Sequence, residues 1–153
     1  NIYKLEDLAN DFKFCYDSKG YKKTILFDGI TKMLAELISE NVKLFIATNK
    51  RDKPTKKIIN YLSLGEFFTS LYTVDMGKEL FKSKSIMIAT IIKNHKLDIS
   101  KTMYIGDTHA DALAAFENKI RYIMTDWGYS DLSNFNGEVA ISSQNLLQKI
   151  LRA

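Results

Sequence analysis

Met103-Tyr104-Ile105-Gly106-Asp107-Thr108-His109-Ala110-Asp111 is the stretch on which the reading of this chain turns. A short apolar, β-competent run ends in Gly-Asp, and a second aspartate follows four residues later. From Asp111 to Glu117 the chain is rich in strong helix formers. A strand therefore ends near Asp107, and a helix carries Asp111 in its opening turn. Open α/β sheets bind ligands at the carboxyl ends of their strands. Two carboxylates there, beside a helix N-terminus, suit a hard cation such as Mg²⁺. The same pattern also fits a purely local role, with Asp107 capping the helix and Asp111 complementing its dipole.

Working outward, the strand signal recurs. Val42 to Ala47 is an apolar run ending in Thr48-Asn49, Leu71 to Val74 is a second, and Ile120 to Met124 a third. Between them lie helical patterns: Thr31 to Asn41, a stretch from Pro54 to about Leu62, Ile86 to Asn94, and Asn145 to Leu151. Pro54 suits a first helical turn, where its missing N–H is no loss. Strands alternating with helices predict an α/β fold, a Rossmann-like parallel sheet with helices on both faces. Residues 1–23 read as a separate helix, with Leu5, Leu8, Phe12 and Cys15 at helical spacing and Cys15 in the core. Thr24 to Phe27 reads as a short extended run, followed by an Asp28-Gly29 turn.

At 153 residues and 46% hydrophobic composition, the chain is the size of one domain and can bury a core. Its net charge of +4 comes from scattered lysines without interleaved aromatics, which argues against a nucleic-acid platform and for a solvated surface with one or two lysines aimed at an anion. A single cysteine permits no intrachain disulfide and fits a cytoplasmic setting. No apolar run approaches the roughly 20 residues of a membrane span, so no membrane partner is expected.

Three strand ends now carry polar groups: Thr48-Asn49, Lys82 and Asp107. In that order, the motifs resemble the haloacid dehalogenase superfamily, and within it the phosphoglycolate-phosphatase-like group. Leu44-Phe45-Ile46-Ala47-Thr48-Asn49-Lys50 is similar to the second motif of that family, and Lys82-Ser83-Lys84-Ser85 to its third, usually Lys-Pro-x-Pro. Ile105 to Asp111 is similar to its fourth, Gly-Asp-x-x-x-Asp, and Trp127-Gly128-Tyr129 to a tail motif. The resemblance implies that Thr48 and Asn49 bind a transferring phosphoryl group. It implies that Lys82 offsets the negative charge, with Lys84 the other lysine available. Asp107 and Asp111 would form the Mg²⁺ site, Asp107 as a ligand and Asp111 orienting it directly or through water, and Lys50, Arg51 and Thr108 would face the substrate. Where family members carry Ala-Gly, this chain has Asn118-Lys119, and Asn118 is expected to take the left-handed conformation.

The first motif of the family, Asp-x-Asp-Gly-Thr, is not in this sequence. Its first Asp is the nucleophile that forms an aspartyl-phosphate. Asp28 has no second Asp two residues on, and reads as a turn. Residues 1–23 then resemble the end of an α-helical cap, and residues 24–153 the α/β core without its first strand. The expectation is a fragment of a Mg²⁺-dependent phosphatase for a small phosphorylated metabolite, inactive as it stands. The alternative is a non-catalytic phosphate-binding module of the same fold.

Overall fold

A computed structural model describes residues 2–76, 81–128, 132–133 and 135–152. Six α-helices and five strands are defined among these: α1 (Ile2–Ser18), α2 (Ile30–Ser39), β1 (Phe45–Thr48), α3 (Asp52–Tyr61), β2 (Ser70–Thr73), α4 (Lys84–His95), β3 (Met103–Gly106), α5 (His109–Glu117), β4 (Arg121–Thr125), β5 (Glu138–Ala140) and α6 (Ser143–Leu151). The alternation is the one read from the sequence, with β5 added. Its three residues are too few to give a period of two, so sequence pattern alone does not reveal it.

All pairing is parallel. β1 pairs with β2, with Thr48 opposite Thr73. β3 pairs with β4, and β4 with β5, with Gly106 opposite Met124 and Thr125 opposite Ala140. The sheet therefore stands in two parts, β1-β2 and β3-β4-β5. Side-chain alternation sorts the strands between two helical layers. Ile123, Met103 and Ile105 join Leu34 and Leu37 of α2 and Leu146 and Leu147 of α6. On the opposite face, Tyr104 and Tyr122 pack with Ala114 and Ala115 of α5 and Ile88 of α4, and Phe45 and Ala47 pack with Met87 and Ile91 of α4. Helices thus cover both faces.

Local chemistry sets the helix boundaries. Ser83, Thr108 and Ser142 each cap a helix by accepting from the N–H three residues on. Gly29, at φ 75°, makes the turn into α2, as the Asp28-Gly29 signal predicted. The Ser143 hydroxyl donates to the Asp28 carbonyl and ties that turn to α6. Residues 24–27 lie outside any strand, with Thr24 in extended backbone. Two local expectations are corrected. Lys119, at φ 56°, takes the left-handed position rather than Asn118, whose side-chain amide instead donates to the Ser85 and Ala114 carbonyls. On α1 the helical spacing is right, but its apolar side is exposed, with Leu8 65% and Phe12 69% accessible, and Cys15 is exposed as well.

Ile123 is fully buried between the layers. Ile123→Ala should cost about 2–5 kcal/mol in urea unfolding. A loss below about 1 kcal/mol would contradict the assigned core.

Candidate active site

Thr48, Asn49, Lys50, Lys84, Asp107, Thr108, Ala110 and Asp111 line one cleft of about 400 Å³. It sits at the carboxyl ends of β1 and β3, where the crossovers into α3 and α5 begin. Thr48 is the last residue of β1, and its hydroxyl accepts from the Lys50 N–H at 3.1 Å, which curls the strand end around the cleft. Asp107 follows β3 directly.

Thr108, not Asp107, is the N-cap of α5. Its Oγ1 accepts from the Asp111 N–H at 3.1 Å and donates to Asp111 Oδ2 at 2.7 Å. The other Asp111 oxygen, Oδ1, accepts from the Tyr104 hydroxyl at 3.1 Å and faces the Lys84 ammonium at 3.3 Å. Lys84 Nζ also donates to Tyr104 Oη at 3.1 Å and to the Ala47 carbonyl at 3.3 Å. One ammonium thus spans from the end of β1 to the start of α5.

Burial of Asp111 works against its charge. The Thr108 hydrogen bond and then the Lys84 charge outweigh that cost and hold its carboxyl below the ordinary carboxylate range. Burial first, then the Asp111 charge, push the Tyr104 hydroxyl above its ordinary value, so Tyr104 stays protonated and donates.

Two glycines make room for the carboxylates. A Cβ on Gly106 would fall 2.7 Å from Asp111 Cβ, and one on Gly128 would fall 2.5 Å from Asp107 Oδ2. Gly128 gives the tail motif a physical meaning: the loop after β4 packs on the Asp107 side chain. Tyr129 lies outside the described residues.

The structure separates several of the expected residues. Lys82 is exposed and outside the cleft, and Lys84 is the lysine that reaches it. Helix α4 starts at Lys84 behind the Ser83 cap, so Lys84 leaves the first turn over the strand ends while Lys82 precedes the cap. Arg51 does not line the cleft. It forms a two-pronged ion pair with Asp17 of α1 at 2.7 and 3.0 Å, while Lys50 does line the cleft and stacks over the Tyr16 ring. Asp111 directs its oxygens to Thr108, Tyr104 and Lys84. Among the described residues, no group of three His, Cys, Asp or Glu side chains is placed to hold a metal. Mg²⁺ accepts one or two carboxylates together with phosphate and water, and Asp107 suits that part. Sequence reasoning missed Tyr104, whose apolar ring marks it as core and hides the polar tip that joins Lys84 to Asp111.

The fold is a doubly covered parallel sheet with a cleft at its strand ends. The haloacid dehalogenase-like hydrolase family profile matches residues 2–125, and the chain belongs to that family. It is 26% identical over 149 residues to a phosphoglycolate phosphatase of Aquifex aeolicus, covering 95% of this chain and 68% of that one. It is 23% identical over 124 residues to the tyrosine-protein kinase PtkA of Mycobacterium tuberculosis, covering 81% of this chain and 42% of that one. The chain thus spans less than half the length of that kinase. The haloacid dehalogenase-like hydrolase SP0104 of Streptococcus pneumoniae shares the fold, with a TM-score of 0.84 at 24% identity, over 97% of this chain and 71% of that one.

Two outcomes test this geometry. Lys84→Met should weaken orthovanadate binding by at least about tenfold in calorimetry, the cost of losing a charge-assisted contact, while Lys82→Met leaves it within about twofold; the reverse ranking would return the role to Lys82. Asp111 has a lowered folded pKa, so the unfolded chain takes the proton more readily. Its contribution is complete above about pH 4 and is lost as pH falls through the folded value. Urea unfolding from pH 6 to 3 should therefore show a steeper acid loss in the wild type than in Asp111→Asn, and equal slopes would contradict the carboxylate's role.

Proposed function

We propose that the whole protein to which this chain belongs is a Mg²⁺-dependent phosphatase for a small phosphorylated metabolite. The observation that carries this reading is the convergence of Thr48, Asn49, Lys84 and Asp107 on one cleft in a member of this hydrolase family. Thr48 and the N–H groups after it are donors for phosphoryl oxygens, and Lys84 supplies fixed positive charge where negative charge accumulates. Asp107 would hold the cation, and the bound cation would offset phosphate charge. Asp111 and Tyr104 act as positioning residues, keeping the Lys84 ammonium at the strand ends.

The reaction needs a nucleophile. Among the described residues lining the cleft, Asp107 and Asp111 are the only carboxylates, and both already have other roles. The attack would fall to a carboxylate other than these two. Its carboxylate oxygen would bond to phosphorus as the ester P–O bond breaks and the leaving alkoxide takes a proton. Water would then attack the phosphorus, releasing phosphate and restoring the carboxylate. The phosphoglycolate phosphatase relative supports a small acidic phosphomonoester as the substrate class.

A second reading, a phosphate-binding module without turnover, is favoured by one observation: the cleft's two described carboxylates leave no obvious nucleophile. The readings separate on the whole protein. With Mg²⁺ and a panel of small phosphomonoesters including phosphoglycolate, the phosphatase reading expects phosphate release. Asp107→Asn should reduce that release by about a hundredfold or more. Retained activity in Asp107→Asn would overturn the metal assignment, and phosphate binding without release under any divalent metal would establish the binding module.

A further inference from the structure

We infer that Tyr16, near the end of α1, is a positioning residue that holds the Lys50 ammonium at the rim of the cleft, where that ammonium selects ligands carrying a second anionic group beyond the phosphoryl group. The inference deepens the phosphoryl-site reading above and rests on it. Lys50 lines the cleft, and its backbone N–H reaches the Thr48 hydroxyl, so its main chain is fixed beside the expected phosphoryl donors. Its side chain reaches α1. Lys50 Nζ donates to Tyr16 Oη at 3.3 Å and lies 5.6 Å from the centre of the Tyr16 ring. A ring face and a hydroxyl oxygen both attract a cation, but neither supplies a counter-charge at neutral pH.

The cleft thus holds two ammonium groups in different states. Lys84 has a side chain 16% exposed and is balanced by Asp111 at 3.3 Å. Lys50 is exposed, and among the described residues no carboxylate forms an ion pair with it, whereas its neighbour Arg51 has Asp17. Positive charge left unbalanced at the mouth of a cleft draws an anion. With Lys84 at the phosphoryl position, Lys50 is placed for a carboxylate or a second phosphate on the same small ligand.

Tyr16 is itself held on several sides. Phe12, one turn earlier, stacks on its ring at 6.0 Å, and a Cβ on Gly20 would fall 3.0 Å from Tyr16 Cδ2. The next residue, Asp17, takes Arg51 with both carboxylate oxygens and accepts from Lys57 Nζ at its carbonyl, at 2.6 Å. Lys57 in turn lies 5.3 Å from the centre of the Tyr21 ring. These ties fix the end of α1 against the loop after β1 and against α3. A lysine ammonium rides on a flexible four-carbon stem. Resting it on a fixed ring reduces the freedom it loses when an anion binds.

The test uses the whole protein with Mg²⁺ and two phosphonates of equal length, 3-phosphonopropionate and propylphosphonate, which have no ester bond to hydrolyse and differ in one carboxylate. Calorimetry should show the wild type favouring 3-phosphonopropionate, and Lys50→Met should lower that preference by about fivefold, as for an exposed ion pair. Tyr16→Leu should lower it by about threefold in the wild type and leave it unmoved in Lys50→Met, while Tyr16→Phe, which keeps the ring, retains more of it. Propylphosphonate binding reports an intact cleft in each variant; where Tyr16→Leu loses it, Tyr16→Phe carries the test. Equal affinity for the two phosphonates in the wild type, equal losses of both in Lys50→Met, or an additive effect of Tyr16→Leu in Lys50→Met would overturn the inference. Phosphate release from phosphomonoesters with the preference unmoved in Lys50→Met would support the phosphatase reading and overturn this one. The expected preferences in a protein that releases no phosphate would support this inference and count against the phosphatase reading.

Discussion

The Lys84 ammonium is the interaction on which the candidate site depends. Its side chain is 16% exposed, and it touches three groups from three parts of the fold: the Ala47 carbonyl at the end of β1, the Tyr104 hydroxyl on β3, and the Asp111 carboxylate on α5. No backbone pairing joins β1 to β3 among the described strands. This charged side chain is thus one polar link between the two halves of the sheet at the end where the chemistry is expected. Burying that charge is tolerable because Asp111 balances it and Tyr104 serves both, accepting from Lys84 and donating to Asp111. The same arrangement aims positive charge into the cleft shared with Thr48 and Asp107.

The rest of the architecture brings these groups together. The carboxyl ends of β1 and β3 line one cleft. Gly106 and Gly128 let backbone approach Asp111 and Asp107 more closely than any side chain would permit. On the outer side, α1 is held to the loop after β1 by Arg51 on Asp17 and by Lys50 on Tyr16, and to α3 by Lys57 donating to the Asp17 carbonyl. That polar clasp contrasts with the exposed apolar side of the same helix at Leu5, Leu8 and Phe12. Lys50 belongs both to the clasp and to the cleft, so α1 and the site are mechanically joined.

Much of this was legible in the sequence, and physical reasons separate what was from what was not. The runs Val42 to Ala47 and Ile120 to Met124 are apolar on both sides because helices cover both faces of the sheet, and that makes buried strands easy to see. Thr48, Asn49 and Asp107 were found because polar residues ending such runs must sit at a strand's carboxyl end. The choice between Lys82 and Lys84 turned on where α4 begins, which a Ser-Lys-Ser stretch does not fix; only the Ser83 cap settles the boundary. Arg51 looked like a substrate contact by adjacency alone, but its partner Asp17 lies 34 residues away in sequence. Asp111 was placed on the opening turn of α5, while its hydrogen bonds to Tyr104 and Thr108 depend on side-chain geometry that motif spacing does not specify.

The most direct measurement of the central claim is a crystal structure of the chain grown with tungstate, a heavy tetrahedral stand-in for phosphate. The account predicts one strong anion peak bounded by Thr48 Oγ1, the N–H groups that follow it, and Lys84 Nζ, beside Asp107. An anion bound instead at Lys82 or Arg51, or a cleft that takes none at saturating tungstate, would contradict the assignment of a phosphoryl site to the ends of β1 and β3.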